Sequence, residues 1–192
     1  MLLIEEEKAI FIHVPHAAGT SMKSLLDRHF ETEEIGGIHD GVNVLGDKYS
    51  DYFKFCIVRN HWDWILSKWC YLVKKEGELN SRIYDFITDT KNSFSDFVAW
   101  YLNYKSPSLP QCSGFFNWGG EGMKRLDGFI TFDGNCFDGM DRVLENFEIA
   151  EYEIPHFNQN HNITRSAIFN RSSVELVRKH YQKEIDFFGF EF

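Results

Sequence analysis

This 192-residue chain has only four cysteines and four prolines, and no apolar run approaches the ~20 residues needed to span a membrane. The cysteines stand at positions 56, 70, 112 and 136 without a C-x-x-C pair, so neither a zinc site nor a disulfide framework is indicated. Cys56 and Cys70 fall in apolar stretches and read as core. The first residues, MLLIEEEKAI, lack the basic start and long apolar segment of a secretory signal. With no membrane span either, a cytoplasmic protein is expected, and the sequons at Asn162 and Asn170 are read as chance. Basic charge is short as well: 20 Lys and Arg against 29 Asp and Glu give a net charge of -9. Such a surface repels nucleic acid, anionic membranes and sulfated polysaccharides, so any anion site has to be a local basic pocket. The eight histidines include no H-E-x-x-H or similar spacing, and His156 with His161 has no evident third ligand, so no metal is expected.

What the chain does have is 43% hydrophobic residues and 19 phenylalanines, enough for one globular domain over residues 1–192. Residues 9–14 form an apolar run that reads as a short buried strand. Pro15 stops it, and the small residues Ala17, Ala18 and Gly19 lead into an amphipathic run over 22–30. A strand, a tight turn and a helix start suit an anion, because backbone N–H groups and the positive end of the helix dipole converge there. Gly19 would let a ligand approach the backbone, and Thr20 and Ser21 add hydroxyls. No Lys precedes Thr20, so this is not a Walker A loop. A plain strand-to-helix connection has the same pattern, and the turn alone does not decide between them.

A second strand is expected over 53–58, with Arg59 at its exit. Trp62, Ile65, Leu66, Trp69, Cys70 and Val73 then follow at helical spacing. Ser67 lies on the flank of that stripe, where its hydroxyl either faces a ligand or bonds back to its own helix. Together the two segments resemble the sulfotransferases, in the branch of carbohydrate sulfotransferases and their bacterial relatives. There a P-K-[TAS]-[AG]-[GS]-T-S loop holds the 5′ end of 3′-phosphoadenosine 5′-phosphosulfate (PAPS). An F-x-[FIV]-V-R-N-P strand end, with Ser eight residues after the Arg, holds the 3′-phosphate. Here those places are taken by residues 15–21 and by Arg59 and Ser67. The closing YQKEIDFFGFEF is similar to the family's Y-x-x-D-x-x-x-F-G-Y, with Glu184 or Asp186 near the acidic place.

The resemblance implies that His16, Ala17, Ala18, Gly19, Thr20 and Ser21 cradle the 5′ side, while Arg59 and Ser67 take the 3′-phosphate. The alternative for Arg59 is a surface ion pair. His39, in a Gly-Gly-Ile-His segment, is the expected base, since many family members carry a His in a comparable place and imidazole titrates near neutral pH. A solvated loop histidine is the bland alternative. Asp40 is not expected to orient it, because adjacent side chains diverge. His16 departs from the family by standing where relatives have a Lys on the bridging oxygen. To fill that role it has to be protonated by the neighbouring phosphates, and Lys23 one turn on could compensate. The acceptor expected is a small molecule or carbohydrate, a neutral sugar, phenol or alcohol rather than a polyanion. Two other functions share these features: a nucleotide-binding module without catalysis, and a P-loop kinase, which the missing Lys and Walker B Asp argue against.

Elsewhere, Ser93 and Asp96 cap a helix carrying Phe94, Phe97, Val98, Tyr101 and Leu102. Residues 106–122 form a long loop whose Phe115, Phe116 and Trp118 either line an acceptor site or pin the loop to the core. A third strand is expected over 128–132, a helix striped by Phe137, Met140, Val143, Leu144 and Phe147, and a short strand within 148–154. A Ser172–Glu175 capping box should start the last helix, striped by Val174, Val177, Tyr181, Ile185 and Phe188. Strands alternating with helices and no hairpin signal imply a parallel sheet covered on both faces, an α/β fold. With the resemblance, it should be a P-loop-like three-layer fold with ligands at the strand carboxyl ends.

Overall fold

The computed structural model describes residues 1–74, 93–104, 126–134, 136–149, 151–155 and 163–192. The chain groups into two compact units, each built from two stretches: residues 1–59 with 110–159, and residues 60–109 with 160–192. The expected loop at 106–122 and the histidines at 156 and 161 lie outside the described residues.

The first unit is α/β, with a six-stranded mixed sheet. Its strands are β1 (Leu2–Ile4), β2 (Ala9–Ile12), β3 (Glu33–Glu34), β4 (Phe53–Arg59), β5 (Gly128–Asp133) and β6 (Cys136–Asp138), in the spatial order β3-β1-β2-β4-β5-β6. The three strands legible as apolar runs, β2, β4 and β5, lie side by side and parallel. Phe11, Phe55 and Ile57 on one face and Ile10, Ile12, Cys56 and Val58 on the other are all buried, as the continuous apolar runs require.

The parallel sheet expected from the sequence is present at the centre, and antiparallel strands flank it on both sides. β1 pairs antiparallel with β2 through a turn at residues 5–8, and β6 pairs antiparallel with β5. The first hairpin carries no Gly or Asn: Lys8 takes the left-handed backbone itself (φ 46°), and its N–H bonds the Glu5 carbonyl at 3.1 Å. The second does carry a signal, Gly134 at φ 60°, that alternation with helices masked.

Helix α1 (Gly19–His29) follows β2 and buries Met22, Leu25 and Leu26. On the same side, Phe147 meets Phe30, Phe53 and Phe55 at ring-centroid distances of 5.5–5.9 Å. The expected helical stripe from Phe137 is split. Phe137 lies in β6, stacked on Phe132 at 4.4 Å, and a helix runs only over Met140–Leu144, continuing as a 3₁₀ turn over Glu145–Phe147. No strand forms among the described residues of 148–154, where Glu148 is left-handed (φ 56°).

The second unit is helical among its described residues: α2 (His61–Lys74), α3 (Phe94–Tyr104), and near the C-terminus Arg165–Ile168, Arg171–His180 and Gln182–Phe188. The stripe of α2 is buried from Trp62 to Cys70 but ends before Val73, which is exposed. Trp69 packs on Phe97 at 4.9 Å, and the Asp96 N–H donates to Ser93 Oγ as the sequence suggested. The capping box of the Arg171–His180 helix is made by Asn170 and Ser173, not Ser172 and Glu175. The expected last helix breaks at Tyr181, the boundary between the final two helices. No helix among the described residues is long and apolar enough to cross a membrane.

Candidate functional site

The turn after β2 has a defined shape because short backbone bonds close it. Val14 N–H donates to the Ile12 carbonyl, Ala17 N–H to Val14 and Met22 N–H to Ala18. His16 and Ala18 take left-handed backbone, φ 61° and 58°. Ala17, Gly19 and Ser21 are buried, whereas Thr20 is exposed. No side chain caps α1 and no acid stands in its first turn, so the positive end of the helix dipole is not neutralised by a carboxylate of that turn.

Arg59 ends β4, the parallel neighbour of β2, so its guanidinium emerges beside the turn. Its Nη1 donates to the His16 carbonyl at 3.1 Å, and its guanidinium carbon lies 5.0 Å from the Phe132 ring centroid. Phe132 is its registered partner on β5. The cation is thus steered from one side by an aromatic face. It meets the main chain of His16, so this contact does not depend on the identity of that side chain.

Gly19 does not leave its space to a ligand, as the sequence suggested it would. A Cβ there would lie 2.0 Å from Cδ2 and 2.1 Å from Nε2 of His13, so the space goes to an imidazole of the same chain. His13 is 8% exposed, its Nδ1 has no hydrogen-bond partner among the described residues, and burial followed by the nearby His39 lowers its pKa to about 4. It is therefore neutral at pH 7. Sequence reasoning passed over His13; a polar residue closing an otherwise apolar strand was the available signal.

His39 does come to the turn. Its Nδ1 lies 3.3 Å from the His13 carbonyl, and the two rings meet edge to face at 4.8 Å. Asp40 turns away, its carboxylate accepting the Gly37 N–H at 2.6 Å. Lys23 is held by Asp27 at 3.2 Å, with Glu34 at 3.9 Å.

Ser67 lies half-buried on α2 of the second unit. In that unit the residues just after Arg59 are anchored to the C-terminal segment. Asn60 Nδ2 donates to the Glu191 carbonyl, and buried His61 pairs with Glu184. Glu184, rather than exposed Asp186, is the acid that meets this stretch. A shallow depression in the same unit, lined by Arg178, Ile185 and the C-terminal residues, contains none of the expected site residues. Among the described residues no three His, Cys, Asp or Glu side chains group as a metal site.

Comparison of the chain with models of known protein families, with curated proteins and with solved structures returned no match. The chemistry therefore rests on the geometry: a helix start open to an anion, one guanidinium at its side, and an exposed imidazole tied to the same turn.

Proposed function

We propose that the chain is a small sulfotransferase that moves a sulfuryl group from PAPS to a hydroxyl or amine, on a P-loop-like α/β scaffold. The observation that carries this reading is the 3.1 Å bond from Arg59 Nη1 to the His16 carbonyl, which joins the two motifs that resemble the family. The residues fit a multiply charged nucleotide because the start of α1 is uncapped, free of acids and flanked by a guanidinium. When bound, PAPS supplies the sulfuryl group and a phosphate leaving group. The backbone N–H groups of Ala18, Gly19 and Thr20 with the Thr20 hydroxyl would hold the 5′ side, and Arg59 would take the 3′-phosphate. His39 takes the acceptor proton, and His16, protonated beside the phosphates, donates to the bridging oxygen. The net charge of -9 favours a neutral sugar, phenol or small alcohol as acceptor, in the cytoplasm.

One observation favours a second reading, a module that binds the nucleotide without transfer: His16 brings no fixed charge, and the Lys23 ammonium is engaged by Asp27 and Glu34. Calorimetry with 3′-phosphoadenosine 5′-phosphate (PAP) against ATP with Mg²⁺ tests the nucleotide. PAP should bind, and Arg59→Ala should weaken it roughly 10- to 100-fold, the worth of a charged hydrogen bond. Equal affinity of wild type and Arg59→Ala would refute the site. Turnover of neutral acceptors separates enzyme from binder, and a rate unchanged in His16→Ala would remove His16 from the mechanism.

A further inference from the structure

We infer that His13 is the positioning residue of His39, its carbonyl and ring together holding His39 in the tautomer that carries its proton on Nδ1 and leaves Nε2 to accept one. The catalytic meaning of this rests on the sulfotransferase reading; the tautomer itself does not.

A carbonyl oxygen only accepts, so the 3.3 Å contact from His39 Nδ1 to the His13 carbonyl is a hydrogen bond only when Nδ1 is protonated. The lone pair of the neutral ring then stands on Nε2. The natural competitor, the adjacent Asp40 carboxylate, is engaged by the Gly37 N–H. His39 is exposed and rides on an irregular segment, so its orientation has to come from what it touches. His13 can supply that orientation because it directly follows β2 and is buried. Its ring fills the space over Gly19, where even a methyl group would collide, and presents itself edge to face with His39 at 4.8 Å. When Nε2 takes a proton, the positive charge shared with Nδ1–H strengthens the bond to the carbonyl. His13 remains neutral in its buried place and does not repel the imidazolium.

Heteronuclear NMR of ¹⁵N-labelled protein without ligand reads the two ring nitrogens of each histidine directly. At a pH where His39 is neutral, its major form should show protonated Nδ1; protonated Nε2 as the major form would overturn the inference with no variant needed. In His13→Ala the Nδ1–H form should lose its majority, and an unchanged tautomer would show that the ring has no positioning role. With acceptor turnover as the second readout, His13→Ala should lower kcat roughly 10-fold while PAP affinity changes less than about twofold. If no acceptor is turned over yet the Nδ1–H signature is present, the proposed function fails and the positioning stands. Turnover by a protein whose His39 is protonated on Nε2 means the opposite: the function stands and the positioning fails.

Discussion

Replacing Gly19 with alanine tests the core of the site, because the collision it produces has one partner. The new Cβ would stand 2.0 Å from His13 Cδ2, 2.1 Å from Nε2 and 2.8 Å from Cε1, all atoms of a single ring. Gly19 lies within α1, a conformation alanine adopts freely, so alanine should otherwise stabilise by about 0.4–1 kcal/mol through the unfolded chain. Against this stands overpacking in a buried place, about 1–3 kcal/mol. The net expectation is a loss of about 1–2 kcal/mol, or roughly 2–8 °C in Tm for a chain of this size. In a His13→Ala background the obstacle is gone, and the same change should be neutral or stabilise by up to about 1 kcal/mol. Urea denaturation of wild type, both single variants and the double variant gives the coupling, expected near ~2 kcal/mol and well above the ~0.5 kcal/mol scatter of independent sites. Equal effects of Gly19→Ala in both backgrounds would refute the claim that His13 occupies the glycine's space.

The same imidazole sets a pH dependence. In the unfolded chain His13 takes a proton below its ordinary 6.5, whereas the folded protein resists until about 4. The unfolded state therefore binds more protons in that window, and stability present above pH 6.5 falls as pH drops towards 4, by up to about 3 kcal/mol. Urea midpoints at about pH 7 and about pH 4.5 should diverge more for wild type than for His13→Phe, and equal divergence would contradict the burial argument. In the second unit, Glu184→Ala leaves buried His61 without its partner and should cost about 1–3 kcal/mol. Glu184→Gln retains an acceptor oxygen and should cost clearly less; identical losses by thermal unfolding would show that the pair contributes only through packing.

The parts of this architecture that were legible from sequence are those in which burial dictates residue type. β2 and the Phe55–Val58 part of β4 are buried on both faces and so appear as apolar runs, β5 buries Ile130 and Phe132, and the buried part of α2 repeats at helical spacing from Trp62 to Cys70. Arg59 was legible for the same reason, being the first cation after such a run. What stayed hidden depends on backbone choices that side chains barely encode. The β1–β2 hairpin turns on a left-handed Lys8, a residue type with no preference for that conformation. Asn170 displaced Ser172 as helix cap because several hydroxyl and amide side chains cluster there and any of them could serve. His13 stayed hidden because its importance lies in a contact with Gly19, further along the chain, which only the closed turn creates.

That turn separates shape from charge. His16 and Ala18 both lie in left-handed backbone, a conformation that costs a residue with a Cβ about 1–2 kcal/mol. Glycine at either place would be less strained, so the surrounding contacts have to hold the shape. Ala17, buried between them, bonds back to Val14; Ala18 accepts from Met22; and Arg59 bonds the carbonyl of His16. None of these three bonds uses a side chain of the turn. In the proposed reading, a histidine where the resembled family has lysine therefore leaves the cradle intact and alters only the charge available at the leaving oxygen. Nucleotide affinity should follow Arg59, and transfer rate should follow residue 16.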